Sequence, residues 1–528
     1  MCVGKRWQLN LISQWINAGY VFKGYSLVMR KIAQEDLVTS IEDALQFISY
    51  THPIDYVKAL RRTYESEVNP AAKSAMLQLL VNSRMSVLGR RPICQDTGTA
   101  QIFIKLGAET QFFRHDEKPL RSLQDLINEA TRNAYTNSEN PLRATTIADP
   151  LGARTNTKDN TPGQLFCEMT EGDLLEILVV AKGGGGDVKA RFATLNPSDS
   201  VADWVIDQLP GMGAGWCPPG VLGVGIGASP EQATLLAKQS LFTPIDIDLL
   251  RAKGAQNSEE KLRLELFDRI NGLQIGAQGL GGLATVLDVK VSTLPCHAAT
   301  IPVAIVPNCA ATRYVRFNLD GLGPAKFEQP SMSTWDGIPD QFHLEAATKV
   351  NVDTLDKKDI QDWKVGQTLL LSGKILTARD AAHKRLVDLL AQGKELPVSF
   401  KGRFIYYVGP VDAIKGEAVG PAGPTTATRM DKFVETLLSQ TGLVGMIGKA
   451  ERGPEAIASI KKHQSVYLAA VGGAAYMLSK AITHSEVIAF DDLGMEAIHE
   501  FELKDFPVIV AVDSRGNSIH RAFLISSS

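Results

Sequence analysis

Residues 326–360 divide this chain in two, and that division limits what it can fold into. The stretch holds scattered prolines and polar residues with little hydrophobic period, so it reads as a linker. Beyond it, over 361–528, the texture becomes strand, loop, helix, repeated. Strand sequence is expected at 368–374, 404–408 and 465–470, with helices over 378–392 and from Thr425 or Thr426 to about 439. A terminal hairpin is expected from 507–512 and the turn at 514–517. Such alternation spells an α/β domain.

Ahead of the linker, 36–325 mixes elements less regularly. Residues 36–90 read as helical, with Asn69-Pro70 at one helix start and Gly89 at its end. Strands are expected at 99–106, 174–181, 221–227 and 301–306, and helices at 121–140 and 256–273. Gly223, Gly225 and Gly227 invite a dinucleotide reading, but the third glycine of that fingerprint is missing. Ser229 with Gln232 fits a capping box at the start of the next helix instead. The fold class is α/β.

Composition narrows the function classes. A formal net charge of -3 gives no basic face for nucleic acid, so none is expected as a partner. No apolar run reaches the roughly 18 residues that span a bilayer, so no membrane partner is expected either. Six cysteines in 528 residues argue against a disulfide framework and for a reducing compartment, the cytoplasm. Residues 1–35 carry Lys5, Arg6, Lys23, Arg30 and Lys31 before any acid. They read as an extension with no folding role, organellar targeting being the lesser alternative.

Three of the cysteines stand in short stretches punctuated by glycine or proline: PICQDTG at Cys94, GWCPPG at Cys217 and VPNCAA at Cys309. A free cysteine is often simply a small buried hydrophobe, and Cys2 and Cys167 read as structural or incidental. Paired zinc spacings are absent. Iron–sulfur clusters, by contrast, take thiolates from distant loops. Three ligands would leave one metal corner open. On residues alone, Cys296, beside His297, competes with Cys309 for the third place. Anion-binding elements are scattered nearby in sequence. They are hydroxyls at Thr425-Thr426, Arg429 one turn on, Arg379 at a helix start, Lys449 in a glycine-rich loop, and the Gly183–Gly186 run. Each taken singly also fits a solvated charge or a turn.

Taken together, these segments resemble a known family. CQDTGT, AKGGGG, WCPPG, IGAQGLGG, the His297 stretch, LSGKILTARDAAH, GPTTATRMD and IGKAERG occur in the order seen in class I fumarate hydratases. The likeness runs from about residue 36 to 520 and is to the single-chain form. It implies an α+β N-terminal domain that binds a 4Fe–4S cluster and a C-terminal α/β domain that swivels against it. It implies one cluster per chain on Cys94, Cys217 and Cys309, with Cys296 outside the ligand set. The open iron would act as a Lewis acid on the malate hydroxyl. By position, Gln95, Arg143, Gly185, Arg379, Thr425, Arg429 and Lys449 carry over as substrate-binding residues, and Asp96, Thr425 and His297 as the acid–base groups. The implied partners are a small dicarboxylate and a second copy of the chain, with residues of both subunits in reach of the site. The implied reaction is reversible hydration of fumarate to (S)-malate, a step of the tricarboxylic acid cycle. The alternative within the family is the same chemistry on tartrate or mesaconate, and outside it a non-enzymatic iron–sulfur sensor.

Overall fold

The computed structural model describes residues 30–345 and 347–520, so Cys2 and most of the expected extension lie outside the described residues. The chain enters through a short strand, Lys31–Ala33, that pairs in parallel with Gln111–Phe113. Ile32 and Ala33 are buried and Gln34 opens a helix, so the folded body begins about five residues before the expected boundary at 36. A three-residue strand is too short to show a period in sequence.

Three helices follow: α1 (Gln34–Tyr50), α2 (Ile54–Ser66) and α3 (Pro70–Gly89). The start of α3 is built as its sequence predicts. Asn69 Oδ1 accepts from the N–H groups of Ala71 and Ala72 at 3.0 and 3.2 Å, and Pro70 sits where no N–H is needed. Ala71, Ala75, Met76, Leu79, Leu80 and Val81 are all buried. A helix apolar on most sides must be covered on most sides. α3 packs into a core shared with Leu369, Phe404, Val466 and Val510 of the C-terminal sheet, so one apolar interior joins the two halves.

The N-terminal half carries two four-stranded sheets. In the first, Thr99–Gly107 lies between Gln164–Thr170 (parallel) and Leu175–Lys182 (antiparallel), and Tyr314–Leu319 completes the far edge. In the second, Ile301–Asn308 and Gly220–Ala228 run antiparallel at the centre, flanked by Arg191–Leu195 and Val286–Cys296. The helix Pro230–Ser240 lies directly on Gly220–Ala228. A Cβ on Gly223 would stand 2.0 Å from the Ala237 carbonyl oxygen, and one on Gly225 2.0 Å from that of Ala233. Those glycines therefore permit close helix–strand packing. The expected capping box does not form: Ser229 makes no cap bond, and its hydroxyl donates to Glu231 at 2.6 Å.

The C-terminal half is a seven-stranded sheet. Thr348–Asn351, Thr368–Thr377, Phe404–Tyr406, Gly445–Gly448 and Val466–Ala469 run parallel. The long strand Ile498–Val512 runs antiparallel and bonds to both Thr368–Thr377 and Val466–Ala469, so the sheet closes on itself. Ile482–Ala489 pairs along its outer side. Two expectations change here. The stretch 326–360 supplies the Thr348–Asn351 strand and buries Trp335, Ile338, Val350 and Ile360 in the shared core. The terminal strand is longer than expected, 15 residues, and closes the expected hairpin through the turn at Asp513–Asn517: Ser518 pairs antiparallel with Val512, and Ile519 N donates to Ala511 O at 2.9 Å. Among the described residues no helix is long and apolar enough to cross a membrane.

Candidate active site

Strand register brings the cysteine loops together. Val221 lies opposite Asn308, so Cys217 just before one strand and Cys309 just after the other leave the second sheet at the same end. Thr99 lies opposite Lys182, which puts the Cys94–Gly98 turn beside the Gly183–Gly186 run. The C-terminal half adds the loops that follow its parallel strands. Arg379, Thr425, Lys449 and Gly472 all come after strand C-terminal ends, the usual mouth of an open α/β sheet.

Cys94, Cys217 and Cys309 line one cavity together with Asp96, Gly185 and Lys449. Cys94 and Cys217 are buried and Cys309 is half-buried. Cys217 has a left-handed backbone, φ +59°. Its N–H donates to Ala214 O and its carbonyl accepts from Ala310 N, both at 2.9 Å, so the Cys217 and Cys309 loops are bonded to each other. The Lys449 ammonium donates to Cys217 Sγ at 2.9 Å. A Cβ on Gly472 would stand 2.5 Å from that sulfur, so only glycine fits there. Burial pushes the Cys217 thiol up to about 11, and Lys449 works against that rise. Burial alone would lower the Lys449 ammonium, but the thiols around it outweigh burial and hold it above its ordinary value.

A second layer fixes these loops. Gln278 donates from Nε2 to Pro218 O at 3.0 Å and accepts from Gly472 N at 2.9 Å, spanning the two halves. His52 Nε2 lies 3.0 Å from Ala310 O, which can only accept, so that nitrogen carries the proton. Its Nδ1 meets Ser83 Oγ at 2.9 Å. Burial holds His52 neutral, with its pKa pushed down to about 3.

Asp96 also lines the cavity; Gln95, Arg143, Arg379, Thr425 and Arg429 are not among its lining residues, though Arg143 and Arg429 lie near enough to interact with the Asp96 charge. Asp96 Oδ1 accepts from Gly98 N at 3.1 Å and Oδ2 from Gly184 N at 3.0 Å. Burial favours the neutral acid, but Arg143, Arg313, Lys449 and the Gly184 N–H outweigh it, so the carboxyl lies below its ordinary range. Arg143 donates to Gly409 O at 2.6 Å. Burial and the neighbouring Arg379 push its pKa down to about 10. Arg379 lies 3.5 Å from Glu496, and Arg429 3.1 Å from Asp380. Gln95 donates to Pro424 O at 3.0 Å, next to Thr425. Thr425 is buried, its N–H donating to Tyr407 O and its carbonyl accepting from Lys449 N. A Cβ on Gly185 would meet Gly215 O at 3.0 Å and Lys449 Nζ at 3.8 Å.

His297 is not brought to this cavity in its own chain. It stands exposed on the turn after Val286–Cys296, its Nδ1 accepting from Ala299 N at 3.1 Å. The eight-residue strand Ile301–Asn308 separates that turn from Cys309, a length of roughly 25 Å. Cys296 is exposed on the same turn. Its rivalry with Cys309 therefore ends in favour of Cys309 as the cysteine at the cavity. Sequence reading missed Arg313, which lines the cavity and donates to Asp96 O at 2.6 Å. Its position four residues after Cys309 was the available signal. Gln278, His52, Asp380 and Glu496 gave none, because their partners lie far away in sequence.

Among the described residues, no group of three or more His, Cys, Asp or Glu side chains is placed to hold a single metal ion. A cluster asks for something different, since each thiolate binds its own iron. Three thiols on one cavity, with a lysine against one sulfur and a glycine where a side chain would block it, fit that demand.

Three thiols sharing a cavity with Lys449 and the buried Arg313 make a surrounding suited to a small anion. Residues 38–318 match the family model described as fumarate hydratase, and 321–523 match that of the fumarase C-terminus. The chain is 31% identical to the anaerobic class I fumarate hydratase of Escherichia coli K12 over 506 residues, 92% of this chain and 90% of the relative. It is 32% identical to the aerobic class I enzyme of Salmonella typhimurium over 520 residues, 94% and 86% of the two chains. It is 31% identical to fumarate hydratase 2 of Leishmania major over 511 residues, 93% and 87%. The chain belongs to the class I fumarate hydratase family.

Proposed function

We propose that this chain is a hydro-lyase that interconverts fumarate and (S)-malate, with Cys94, Cys217 and Cys309 holding a 4Fe–4S cluster. The observation that carries the reading is the single cavity shared by these thiols, Asp96 and Lys449. When bound, the cluster supplies a Lewis-acidic iron for the substrate hydroxyl, an otherwise poor leaving group.

The chain's own residues bind the dianion, orient it and move one proton. Arg143, Arg379, Arg429 and Lys449 offer charge to its two carboxylates, with Gln95 and the backbone at Gly185 completing the fit. The same cations stabilise the charge that spreads onto a carboxylate when the adjacent carbon loses its proton. Asp96, held anionic by its neighbours, suits the role of acceptor. A threonine hydroxyl is a very weak base, so Thr425 acts with Asp96 rather than alone. His297 serves as the second acid–base group and is supplied by the partner in a homodimer. Sparse cysteine usage supports a reducing compartment, the cytoplasm.

The deciding experiment is anaerobic reconstitution followed by iron and sulfide analysis and a malate-to-fumarate absorbance assay. Near-zero iron, or no rise in fumarate with a full complement of iron, rejects the reading. Comparing kcat/KM for fumarate, tartrate and mesaconate assigns the acid.

A further inference from the structure

The loop 409–424 links the Phe404–Tyr406 strand region to Thr425; its two ends are packed, with Val411, Val419 and Ala422 buried, but its middle is not. Asp412, Ala413, Lys415, Gly416 and Ala418 are exposed. It is tied to the N-terminal half at three points. Its first carbonyl, Gly409 O, accepts from Arg143, and its last, Pro424 O, accepts from Gln95. Both donors belong to the proposed substrate set. The middle tie is an ion pair outside that set, between Arg91 and Glu417.

That pair is unusually complete. Arg91 is 1% exposed in its side chain and Glu417 6%. Arg91 Nε donates to Glu417 Oε1 at 3.1 Å and Nη2 to Oε2 at 3.0 Å, the two-pronged geometry that fixes both position and plane. Nη2 also donates to Asp412 O at 2.7 Å and Nη1 to Asn140 Oδ1 at 2.9 Å. Glu417 Oε2 accepts further from Ile414 N at 3.2 Å. Arg91 lies three residues before Cys94, and Glu417 eight before Thr425. As adhesive, such a pair is poor: desolvation offsets most of its attraction, and an apolar pair of equal volume often does as well or better. What it supplies is a single register between two loops.

We infer that Arg91 and Glu417 are positioning residues for this reaction, holding the 409–424 loop so that Arg143, Gln95 and Thr425 keep their places about the substrate. The inference rests on the functional reading above. Neither residue is assigned contact with the substrate; each acts through the loop.

The test compares wild type, Glu417→Gln, Arg91→Lys and the apolar double variant Arg91→Met/Glu417→Met, all reconstituted anaerobically. Iron per chain and Tm are read beside kcat and KM. The double variant is expected to keep the iron of wild type, with a modest fall in Tm because Asn140 Oδ1 and Ile414 N lose their partners, while KM for fumarate rises roughly ten-fold or more, because a small displacement of binding groups is costly. Arg91→Lys keeps the charge but loses the fork, and is expected to resemble the double variant. Glu417→Gln keeps shape and removes one charge, and gives the same readout on its iron-loaded fraction should the apolar pair not fold. Values of kcat and KM within about twofold of wild type in the iron-loaded variants overturn the inference and leave the functional reading intact. An iron-loaded wild type without hydratase activity overturns both.

Discussion

The Lys449 ammonium lies 2.9 Å from the Cys217 sulfur, joining a loop of the C-terminal sheet to a cysteine of the N-terminal half. The same cation belongs to the proposed substrate-binding set, so it would face both the thiolate and the substrate. Lys449→Gln is therefore expected to lower kcat/KM by roughly a hundred-fold, the scale of losing one charge-stabilising donor. Steady-state assay of the iron-loaded variant checks this, with iron content measured alongside.

The two candidate third cysteines separate cleanly by position. Cys309 lines the cavity and Cys296 sits exposed on a distant turn. Cys309→Ser should abolish activity with loss of iron. Cys296→Ser should leave both largely intact, and the opposite pattern would overturn the ligand assignment.

Gly472 leaves no space for a side chain. Its Cβ would meet Cys217 Sγ at 2.5 Å and Lys449 Cδ at 2.9 Å. Gly472→Ala should cut iron retention and activity together, whereas Gly272→Ala, with open space around it and an ordinary φ, should move neither. Colorimetric iron analysis and anaerobic assay read both.

Two buried histidines set an acid limit on stability. Burial pushes His52 down to about 3 and His383 to about 4, against an unfolded value of 6.5. Because the folded values are depressed, the unfolded chain binds more protons below 6.5. The stability held at neutral pH is lost progressively as pH falls from 6.5 toward 4. Denaturant melts of wild type should weaken across that window, and His52→Gln should show a shallower fall. A pH-independent midpoint between 7 and 4 would contradict this.

His297 stands far from the thiols of its own chain, so the proposal needs a partner copy to deliver it. Lys449→Gln and His297→Asn should each be nearly inactive alone. Co-expressed, they should recover a substantial fraction of activity, because one of the two sites in a mixed dimer is then whole. No recovery, with mixed dimers demonstrated, would remove His297 from the catalytic set.

Much of this arrangement was legible in the chain itself. The α3 helix announces itself through Asn69-Pro70, and three of the five parallel strands, near 368, 404 and 465, through short apolar runs. The elements that went unread are short or paired at long range. Lys31–Ala33, Thr348–Asn351 and Gly445–Gly448 span three or four residues each, too few to display a period. Ile482–Ala489 is half exposed and irregular, its register shifting twice against Ile498–Val512. In the site, motif residues such as Cys94, Arg429 and Lys449 carried their own signal. Arg313 carried only its closeness to Cys309, and Gln278 and Arg91 no signal of their own, because what matters about each is a partner on another loop. The distance of His297 from the cavity of its own chain was equally hidden, since closeness to Cys309 in sequence does not reveal the full strand between them.

The pairing of Val221 with Asn308 has a consequence for how this protein can change. Adding one residue inside either strand would turn the following side chain to the other face of the sheet and separate two of the three sulfurs. The opposite end, around 295–300, bears no such constraint from the cavity of its own chain. The central strand pair thus has one end whose length is frozen and one that can drift. Comparison of relatives should find insertions concentrated at the second end, limited there only by whatever a neighbouring subunit requires of His297.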